Sequence, residues 1–314
     1  MHVDTEQVAR RAHAWYRAGI PSWWVTVLTT FGSSPAPAGS TLAVNESEAW
    51  VGGIGMPNID QAVIRRVLAH TPSEPVVWSL GEQSDSAGAL GLPVGADPVV
   101  VQVEPLTDAR ADGLAVLADM LSQRQSAERS VDSGEVVSAS PFAQVIDRDH
   151  NTVVHHPPWR LVMTSVTPLT VEVCERTASL GFDCVVLEPR EAFHALWPRH
   201  SLLAHCRVHT GAVPVAVAAT ALDARTAALA LAHDPALDDP LLLAALDTPV
   251  FLIGALGSRA NHAGRLGRLT DAGADPDRLL RIQGPVGVDI GSKTPAEIAV
   301  SVLGSLIAAR SALG

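Results

Sequence analysis

Apolar and polar positions along the first half of the chain predict both helices and strands. Residues 4–18 place Val8, Ala12 and Trp15 on one stripe at helical spacing, which predicts a first helix. Residues 23–28 contain two tryptophans and three β-branched residues and predict a strand. Further helices are predicted at 58–70 and 108–121, and further strands at 41–44, 49–54, 75–80, 98–104 and 135–145.

In the second half, predicted strands and helices alternate as they do in a nucleotide-binding fold. A helix is predicted at 168–180, with Pro168 in its first turn, and a last helix at 295–313. Strands alternating with helices of this length predict the α/β class, with a Rossmann-like parallel sheet in the C-terminal part. Short apolar runs predict buried strands at 160–163, 182–187, 226–232 and 250–253.

A domain boundary is predicted where this periodicity breaks. Residues 155–158 are two histidines followed by two prolines, and proline interrupts both helices and central strands. We therefore predict an N-terminal domain over 1–155 and a C-terminal domain over 156–314, close to the usual domain size. His155 and His156, in this linker, are expected to be solvated rather than to bind a metal.

Composition and charge exclude several classes of protein. Hydrophobic residues make up 47% of the 314 residues and charged residues 18%, which indicates a buried core. The formal net charge of −11 repels phosphate backbones, so nucleic acid is not an expected partner. No apolar run approaches the roughly 18–20 residues of a membrane span, and the N-terminus is polar and acidic. We expect no membrane association and a cytoplasmic location.

Cysteine and histidine spacing predicts no metal site of the protein's own. Cys174, Cys184 and Cys206 show no CxxC spacing, and the pattern assigns them to a buried helix, a buried strand and a loop. Neither a disulfide framework nor a structural zinc site is expected. The twelve histidines show no metal-ligand spacing.

The turn after the strand at 160–163 has the layout of a dinucleotide-binding loop but lacks its glycines. Residues 164–168 read Thr-Ser-Val-Thr-Pro, and the Val166 side chain would occupy space that a pyrophosphate needs. Glu188 follows the next strand, where an acid that binds a ribose is expected. Plain scaffold is therefore the favoured interpretation of this turn, and NAD(P) binding the less favoured one.

Residues 251–259 predict an anion site. A buried strand runs through Gly254 into Gly257, Ser258 is expected to cap the next helix, and Arg259 adds a positive charge at its N-terminus. An ordinary capped helix with solvated arginines explains the pattern about equally well. The polar face of this helix continues through Asn261, His262, Arg265 and Arg268.

Other polar residues are expected at the same sheet edge. His233 and Asp234 follow the third apolar strand, where a structural lock of the loop is the alternative to a ligand contact. Asp238 and Asp239 lie nearby, and a role as helix-capping acids explains them equally well. His233 and Asp234 are predicted as binding residues mainly because an anion site is predicted beside them.

A second glycine-flanked acid precedes the last predicted helix. Thr294 and Glu297 predict a capping box at its start, which is a structural role. Asp289, followed by Gly291, has no such role and is predicted to face a ligand.

The N-terminal half offers two polar concavities. Ser33 and Ser34 lie in a glycine- and proline-containing loop whose hydroxyls and N–H groups can bind an anion. Residues 52–55 are rich in glycine and lead to Asn58 and Asp60 at a helix start. Each alone is no more than a glycine-rich turn, so their use as a site depends on the rest of the chain.

Several ordered motifs resemble those of the XdhC/CoxI family, of which the chain is identified as a divergent member. The resemblance is strongest from about residue 226 to 310 and extends into the N-terminal half. The matching segments are 233–238, 253–259, 285–291 and 294–301, with 32–35, 91–93 and 103–106 in the first half.

The resemblance implies an XdhC/CoxI-type domain followed by a Rossmann-like domain. It also implies a chaperone, not a catalyst, that binds molybdenum cofactor and assists its insertion into an apo molybdenum hydroxylase of the xanthine dehydrogenase or CO dehydrogenase type. The cargo would be molybdopterin, as such or as its CMP dinucleotide. A homodimer is implied, and a sulfurase or a cofactor-biosynthesis enzyme is a further implied partner.

The chain departs from the family at its cysteines. Asn58 stands where the family commonly has a cysteine, Asp60 where it has a glutamate, and Val94 where it has a second cysteine. Thiolates are soft ligands for a metal such as molybdenum. Direct ligation of the metal by a family cysteine is therefore not expected here.

Our leading hypothesis is that the chain holds the cofactor by its anionic tail, in a cleft between the two domains. Asn58 and Asp60 are expected near the metal end. Two alternatives remain open: an NAD(P)-binding oxidoreductase, and a degenerate paralogue that acts as a protein-only scaffold. The residues predicted to bind the cofactor are Ser33, Ser34, Asn58, Asp60, His233, Asp234, Gly254, Gly257, Ser258, Arg259, Asp289 and Gly291.

Overall fold

The computed structural model divides the chain into two compact units, which we call unit 1 (Met1–Pro157) and unit 2 (Pro158–Gly314). Among the residues it describes, no helix is both long and apolar enough to cross a membrane. The residues described are 4–30, 37–55, 57–81, 98–147, 151–177, 179–194, 197 and 206–313.

Unit 1 is built on an antiparallel sheet with helices on both faces. The strands lie in the order β3-β2-β1-β5-β4. Helix α2 packs on one face, and α1 and α3 pack on the other. The strands are β1 (Ser22–Thr29), β2 (Thr41–Asn45), β3 (Trp50–Gly52), β4 (Val76–Leu80) and β5 (Val99–Pro105), and the helices are α1 (Thr5–Arg17), α2 (Pro57–His70) and α3 (Asp108–Ser122).

The side chains of β1 explain the two layers of unit 1. Trp23, Val25 and Val27 belong to the apolar cluster beneath α2, whereas Trp24 packs with Ala12 of α1 on the other face. Alternate residues of a strand point to opposite faces, so β1 supplies both cores. The helix and the strand predicted at the start of the chain are confirmed.

A second sheet of unit 1 is not evident from the sequence pattern. The strand predicted over 135–145 is wrong, because β7 ends at Ser138 and the chain then turns at Pro141, which has no N–H for a ladder. The sheet has the order β7-β6-β9-β8, with β6 (Ala127–Ser130), β7 (Val136–Ser138), β8 (Ile146–Asp147) and β9 (Thr152–His155).

The expectation that His155 is solvated is also wrong. It is the last residue of β9, pairs with Ala127 of β6, and is only 3% exposed. Its ring meets the Trp24 ring edge-on, with 6.2 Å between the centroids. The pairing of β9 with β6 carries this side chain into the core, which its place beside two prolines does not reveal.

Unit 1 also contains a buried ion pair. Arg129 of β6 donates from Nη1 and Nη2 to the two carboxylate oxygens of Glu104 in β5, at 3.0 and 2.9 Å. Neither side chain is more than 1% exposed. Arg110 of α3 lies 4.0 Å from the same carboxylate and donates to the carbonyl oxygen of Asp132 at 3.1 Å. One buried acid therefore faces two buried cations.

The burial of His155 leads to an expected pH dependence. Burial, with Arg129 and His156 nearby, lowers the pKa of His155 from 6.5 to about 3. A histidine with a depressed folded-state pKa contributes stability above pH 6.5, and the contribution is lost as pH falls from 6.5 towards 3. We expect the free energy of unfolding to drop by about 2 kcal/mol more between pH 7.5 and 5 in the native chain than in His155→Phe. Urea titrations of both proteins at the two pH values measure this difference, and parallel pH profiles would contradict it.

Unit 2 contains a parallel sheet in the order β12-β11-β10-β13-β14-β15, which confirms the predicted α/β class with a Rossmann-like sheet. The strands are β10 (Trp159–Thr164), β11 (Phe182–Leu187), β12 (Cys206–His209), β13 (Thr226–Ala230), β14 (Leu252–Ala255) and β15 (Ile282–Gln283).

Helices cover both faces of this sheet. Helices α4 and α10 pack on one face, and α6, α7, α8 and α9 pack on the other. The strands at the centre of the sheet are mostly apolar because helices cover both of its faces. The helices are α4 (Pro168–Thr177), α5 (Glu191–His194), α6 (Val213–Thr220), α7 (Pro235–Leu246), α8 (Arg259–Asp271), α9 (Pro276–Leu279) and α10 (Pro295–Ser311).

Candidate anion-binding site

The loop between β14 and α8 forms the core of the candidate site. Gly257 has a φ of +131°, a conformation that favours glycine, and lets the chain turn sharply at the carboxyl edge of the sheet. Ser258 is the N-cap of α8, and its hydroxyl accepts the N–H of Asn261 at 3.2 Å. Arg259 is the first residue of the helix and is exposed. The positive end of the helix dipole therefore faces this turn.

The strongest feature of the site is the buried guanidinium of Arg265, almost two turns further along α8. Arg265 is 5% exposed, and its Nη2 donates to the carbonyl oxygen of Leu256 at 2.8 Å. Its Nε and Nη1 are buried and have no hydrogen-bond partner among the residues that the structure describes. Burial lowers the pKa of Arg265, partly offset by the attraction of Asp238. Unfilled N–H groups on a buried cation mark a position where an anion would be stabilised.

His262 lies next to this guanidinium and is also short of a partner. Its Nδ1 is buried and forms no hydrogen bond within the described part of the chain. Its ring packs against the backbone of Gly284, where an added Cβ would lie 2.1 Å from Nδ1. Burial, and then the charge of Arg265, lower the pKa of His262, so its ring is neutral at neutral pH. Ser258, His262 and Arg265 follow helical spacing, which is the signal that could have singled out Arg265 from the sequence.

Asp238 supplies the strongest described attraction of a negative charge to Arg265. The Thr164 hydroxyl donates to Asp238 at 2.6 Å and accepts the N–H of Leu231 at 2.8 Å, while Ala232 donates its N–H to Asp238 at 3.1 Å. Burial raises the pKa of Asp238, and these hydrogen bonds oppose the rise. The interpretation of Asp238 as a capping acid is wrong, because it ties the ends of β10 and β13 together.

The cap of α7 is Asp234, whose carboxylate accepts the N–H of Ala236 at 3.0 Å. His233, just before it, is exposed and has a φ of +58°. Asp239 pairs with Arg268 at 2.9 Å on the surface. The described contacts of Asp234 and Asp239 are thus structural, and a role for His233 and Asp234 in cofactor binding stays a prediction.

Glu188 follows β11, and its carboxylate binds the turn between β10 and α4. Its fully buried carboxylate accepts the N–H of Val166 at 2.9 Å, the Ser165 hydroxyl at 3.2 Å, and Arg190 Nε at 2.7 Å. Burial alone would raise the pKa of Glu188, but hydrogen bonds from Arg190 and Val166 lower it to about 2. This carboxylate lies where the turn ahead of α4 would present its N–H groups to a pyrophosphate. The protein's own acid therefore competes with a dinucleotide there.

We expect the native chain to show no binding heat with NADH or NADPH at millimolar concentration, because a nucleotide phosphate would have to displace the Glu188 carboxylate from Val166. Isothermal titration calorimetry measures this directly. A saturable heat with either nucleotide would contradict it, and its loss on adding pyrophosphate would place the nucleotide at an anion site.

The other predicted residues of unit 2 fall in different places. Gly254 is buried within β14, where an added Cβ would lie 2.6 Å from both Leu229 and Val286, so its described contacts are packing contacts. Asp289 and Gly291 are exposed in the segment before α10. The capping box predicted at Thr294 and Glu297 is confirmed. Of the predicted residues, Gly257, Ser258 and Arg259 lie together at the start of α8.

In unit 1, Asn58 is exposed in the first turn of α2. Asp60 accepts the N–H of Ile54 at 2.8 Å and so holds the glycine-rich turn against α2. Burial raises the pKa of Asp60, and this hydrogen bond opposes the rise. Ser33 and Ser34 lie outside the described residues, and the assignment of Asn58 and Asp60 to the metal end of a cofactor stays a prediction.

Comparisons with known proteins agree with this architecture. A family profile described as the XdhC Rossmann domain matches residues 161–306, and one described as the XdhC and CoxI family matches residues 15–76. A solved xanthine dehydrogenase structure from Bacillus halodurans superposes with a TM-score of 0.68 at 19% identity, covering 99% of this chain and 96% of that one. That likeness concerns the fold.

Two curated relatives come from Escherichia coli K12. The uncharacterized protein YqeB is 31% identical over 156 residues, which cover 49% of this chain and 28% of YqeB. The molybdenum cofactor insertion chaperone PaoD is 34% identical over 95 residues, which cover 30% of each protein. The matched segments thus span less than a third of the length of either relative. Because both family profiles match in chain order, one in each unit, the chain belongs to the XdhC/CoxI family.

Proposed function

We propose that this protein is a chaperone that binds molybdenum cofactor and assists its insertion into a molybdenum hydroxylase of the xanthine dehydrogenase or CO dehydrogenase type. Family membership and the similarity to PaoD support the cargo. The observation that carries the binding site is the buried guanidinium of Arg265, with two unfilled N–H positions beside the N-terminus of α8.

The chemistry of this site suits the anionic tail of a pterin cofactor. Molybdopterin ends in a phosphate, and its CMP dinucleotide contains a pyrophosphate. A phosphate oxygen at Arg265 would gain charge-assisted hydrogen bonds, each worth about 1.5–3 kcal/mol, from groups that folding has already removed from water. The N–H groups at the start of α8, near Gly257 and Ser258, add a favourable dipole. Asp238 limits the net positive charge, which weakens the hold on the anion and so favours its release to a partner.

Binding through the tail leaves the metal end open to a partner. The positions of the family cysteines are Asn58 and Val94, so neither of them ligates the metal through sulfur. The protein's residues would then hold and orient the cargo without a covalent step. We propose an apo molybdenum hydroxylase as the recipient, a sulfurase or a cofactor-biosynthesis enzyme as a further partner, a homodimer as the assembly, and the cytoplasm as the place of action.

Cofactor content and transfer test the proposal. The chain is purified from a host that makes molybdenum cofactor, and the pterin (by fluorescence after oxidation) and molybdenum (by mass spectrometry) are measured. We expect both in the native chain, and transfer of activity to an apo-hydroxylase. Arg265→Met should carry less than about a tenth of the native pterin, because two charge-assisted hydrogen bonds are lost. Arg259→Ala should lose less, since Arg259 is exposed.

Arg278→Ala is the matched control, because Arg278 is an exposed arginine of unit 2 paired with Asp247 on the surface. It should keep the native pterin content. A native chain that carries no pterin but copurifies with a hydroxylase subunit would support the scaffold alternative and overturn the proposal. Equal pterin in the native chain and in Arg265→Met would overturn the site.

A further inference from the structure

Three thiols converge in unit 2, away from the anion site. Cys174 lies on α4, Cys184 on β11, and Cys206 is the first residue of β12. Their Sγ atoms all lie within 4.8 Å of one another. Cys174 and Cys184 are fully buried, and Cys206 is partly buried. They are the three cysteines of the whole chain.

The fold explains this convergence, and the sequence spacing conceals it. Cys184 and Cys206 are register partners on adjacent parallel strands, so their side chains point to the same face of the sheet. Helix α4 covers that face, and Cys174 lies in the same apolar cluster as Cys184 and Phe182. The prediction that Cys206 lies in a loop is wrong, because it opens β12 and pairs with Cys184.

Hydrogen bonds among the three thiols shift the pKa values of two of them in opposite directions. Hydrogen bonds from the thiols of Cys174 and Cys184 lower the pKa of Cys206 to about 5, against the opposing effect of burial. The same interactions raise the pKa of Cys174. The thiolate, not the thiol, is the form that binds metals.

We propose that Cys174, Cys184 and Cys206 form a three-coordinate sulfur site for a soft monovalent metal ion, Cu(I). Three sulfurs about 2.3 Å from a common centre lie about 4.0 Å from one another, so rotations of the cysteine side chains suffice to close the observed cluster. On binding, each cysteine that is still protonated releases its proton to solvent, and all three sulfurs donate an electron pair to the ion.

The donor set favours Cu(I) over Zn²⁺. Soft thiolates select Cu(I), whereas structural zinc sites are almost always four-coordinate. Among the described histidine, cysteine and acidic residues, the group that converges here supplies three ligands. The surrounding apolar side chains, which include Val173 and Phe182, keep water from the cluster. The site lies towards the amino ends of the strands, whereas the anion site lies at their carboxyl ends.

Titration with Cu(I) tests the proposal. The reduced full-length chain is titrated anaerobically against the chelator bicinchoninate, and thiolate-to-copper charge transfer is followed in the near ultraviolet. We expect one Cu(I) per chain and, by X-ray absorption, three sulfur neighbours. Because the chain has no other cysteine, any such band reports on this cluster. A second titration with Zn²⁺ should give weaker binding.

Two variants sharpen the test. Cys206→Ala, at the least buried position, should bind Cu(I) more than about a hundredfold more weakly, since even outer-shell substitutions at metal sites cost up to that factor. Arg207→Ala changes the next residue of β12, which is exposed, and should bind like the native chain. Absence of stoichiometric Cu(I) binding, two sulfur neighbours, tighter binding of Zn²⁺, or equal affinity in Cys206→Ala would each overturn the proposal. If a variant fails to fold, the stoichiometry, the sulfur coordination number and the comparison with Zn²⁺ in the native chain still test the proposal.

Discussion

Replacing Glu104 by alanine is expected to lower the free energy of unfolding by about 3–5 kcal/mol, the cost of leaving a buried charge without its partner. Glu104 receives both Nη groups of Arg129, and Arg110 lies 4.0 Å away. Removing the acid leaves two buried guanidinium groups facing each other. Arg129 Nε already lacks a hydrogen-bond partner among the described residues, so loss of Glu104 would leave this guanidinium with still fewer contacts.

Urea denaturation followed by tryptophan fluorescence measures this effect, because five of the seven tryptophans lie in unit 1. The control is Asp247→Ala, which breaks the exposed pair with Arg278 and is expected to cost less than about 1 kcal/mol. A loss below about 1 kcal/mol in Glu104→Ala would show that Arg110 and Arg129 reach water or other acceptors.

Arg265→Met is expected to act on binding and on stability with opposite signs. Loss of two charge-assisted hydrogen bonds should weaken pterin binding by more than about a hundredfold. The empty protein should become more stable by about 1–2 kcal/mol, because two buried N–H groups without partners are removed. The hydrogen bond to Leu256 is lost, but Asp238 keeps its bonds from Thr164 and Ala232.

Two measurements separate these effects. Urea denaturation of the pterin-free proteins gives the change in stability, and a binding titration with isolated molybdopterin gives the change in affinity. Arg278→Ala serves as the control in both. Weaker binding combined with a loss of stability would mean that Arg265 acts as a structural anchor. A higher free energy of unfolding in Arg265→Met with unchanged affinity for molybdopterin would mean that the cofactor binds at another site.

Much of unit 2 follows from local sequence. The run at Phe182–Leu187 is apolar at every position except Asp183, as a strand buried on both faces must be, and the caps at Ser258 and Thr294 satisfy backbone N–H groups within four residues. These are short-range effects, so one sequence suffices to predict them. The missing glycines before α4 likewise predict that this turn does not favour a dinucleotide, and the Glu188 carboxylate bound to Val166 is a physical argument for the same prediction.

Other features depend on long-range pairing. Arg265 resembles a solvated arginine in the sequence until α8 packs against the sheet and buries it. His155 stands beside prolines, yet pairing with β6 carries it inside. Such burial depends on which elements meet, which periodicity along one segment does not specify.

The sequence by itself determined the class of the fold, the parallel strands and the helix caps, because each depends on neighbours along the chain. Only the tertiary structure decided that three cysteines from separate elements form one cluster, and that Arg265, of the three arginines on α8, is the one that is buried. The reason is physical. Burial removes water from a side chain, and which side chains lose it depends on contacts between residues far apart in sequence.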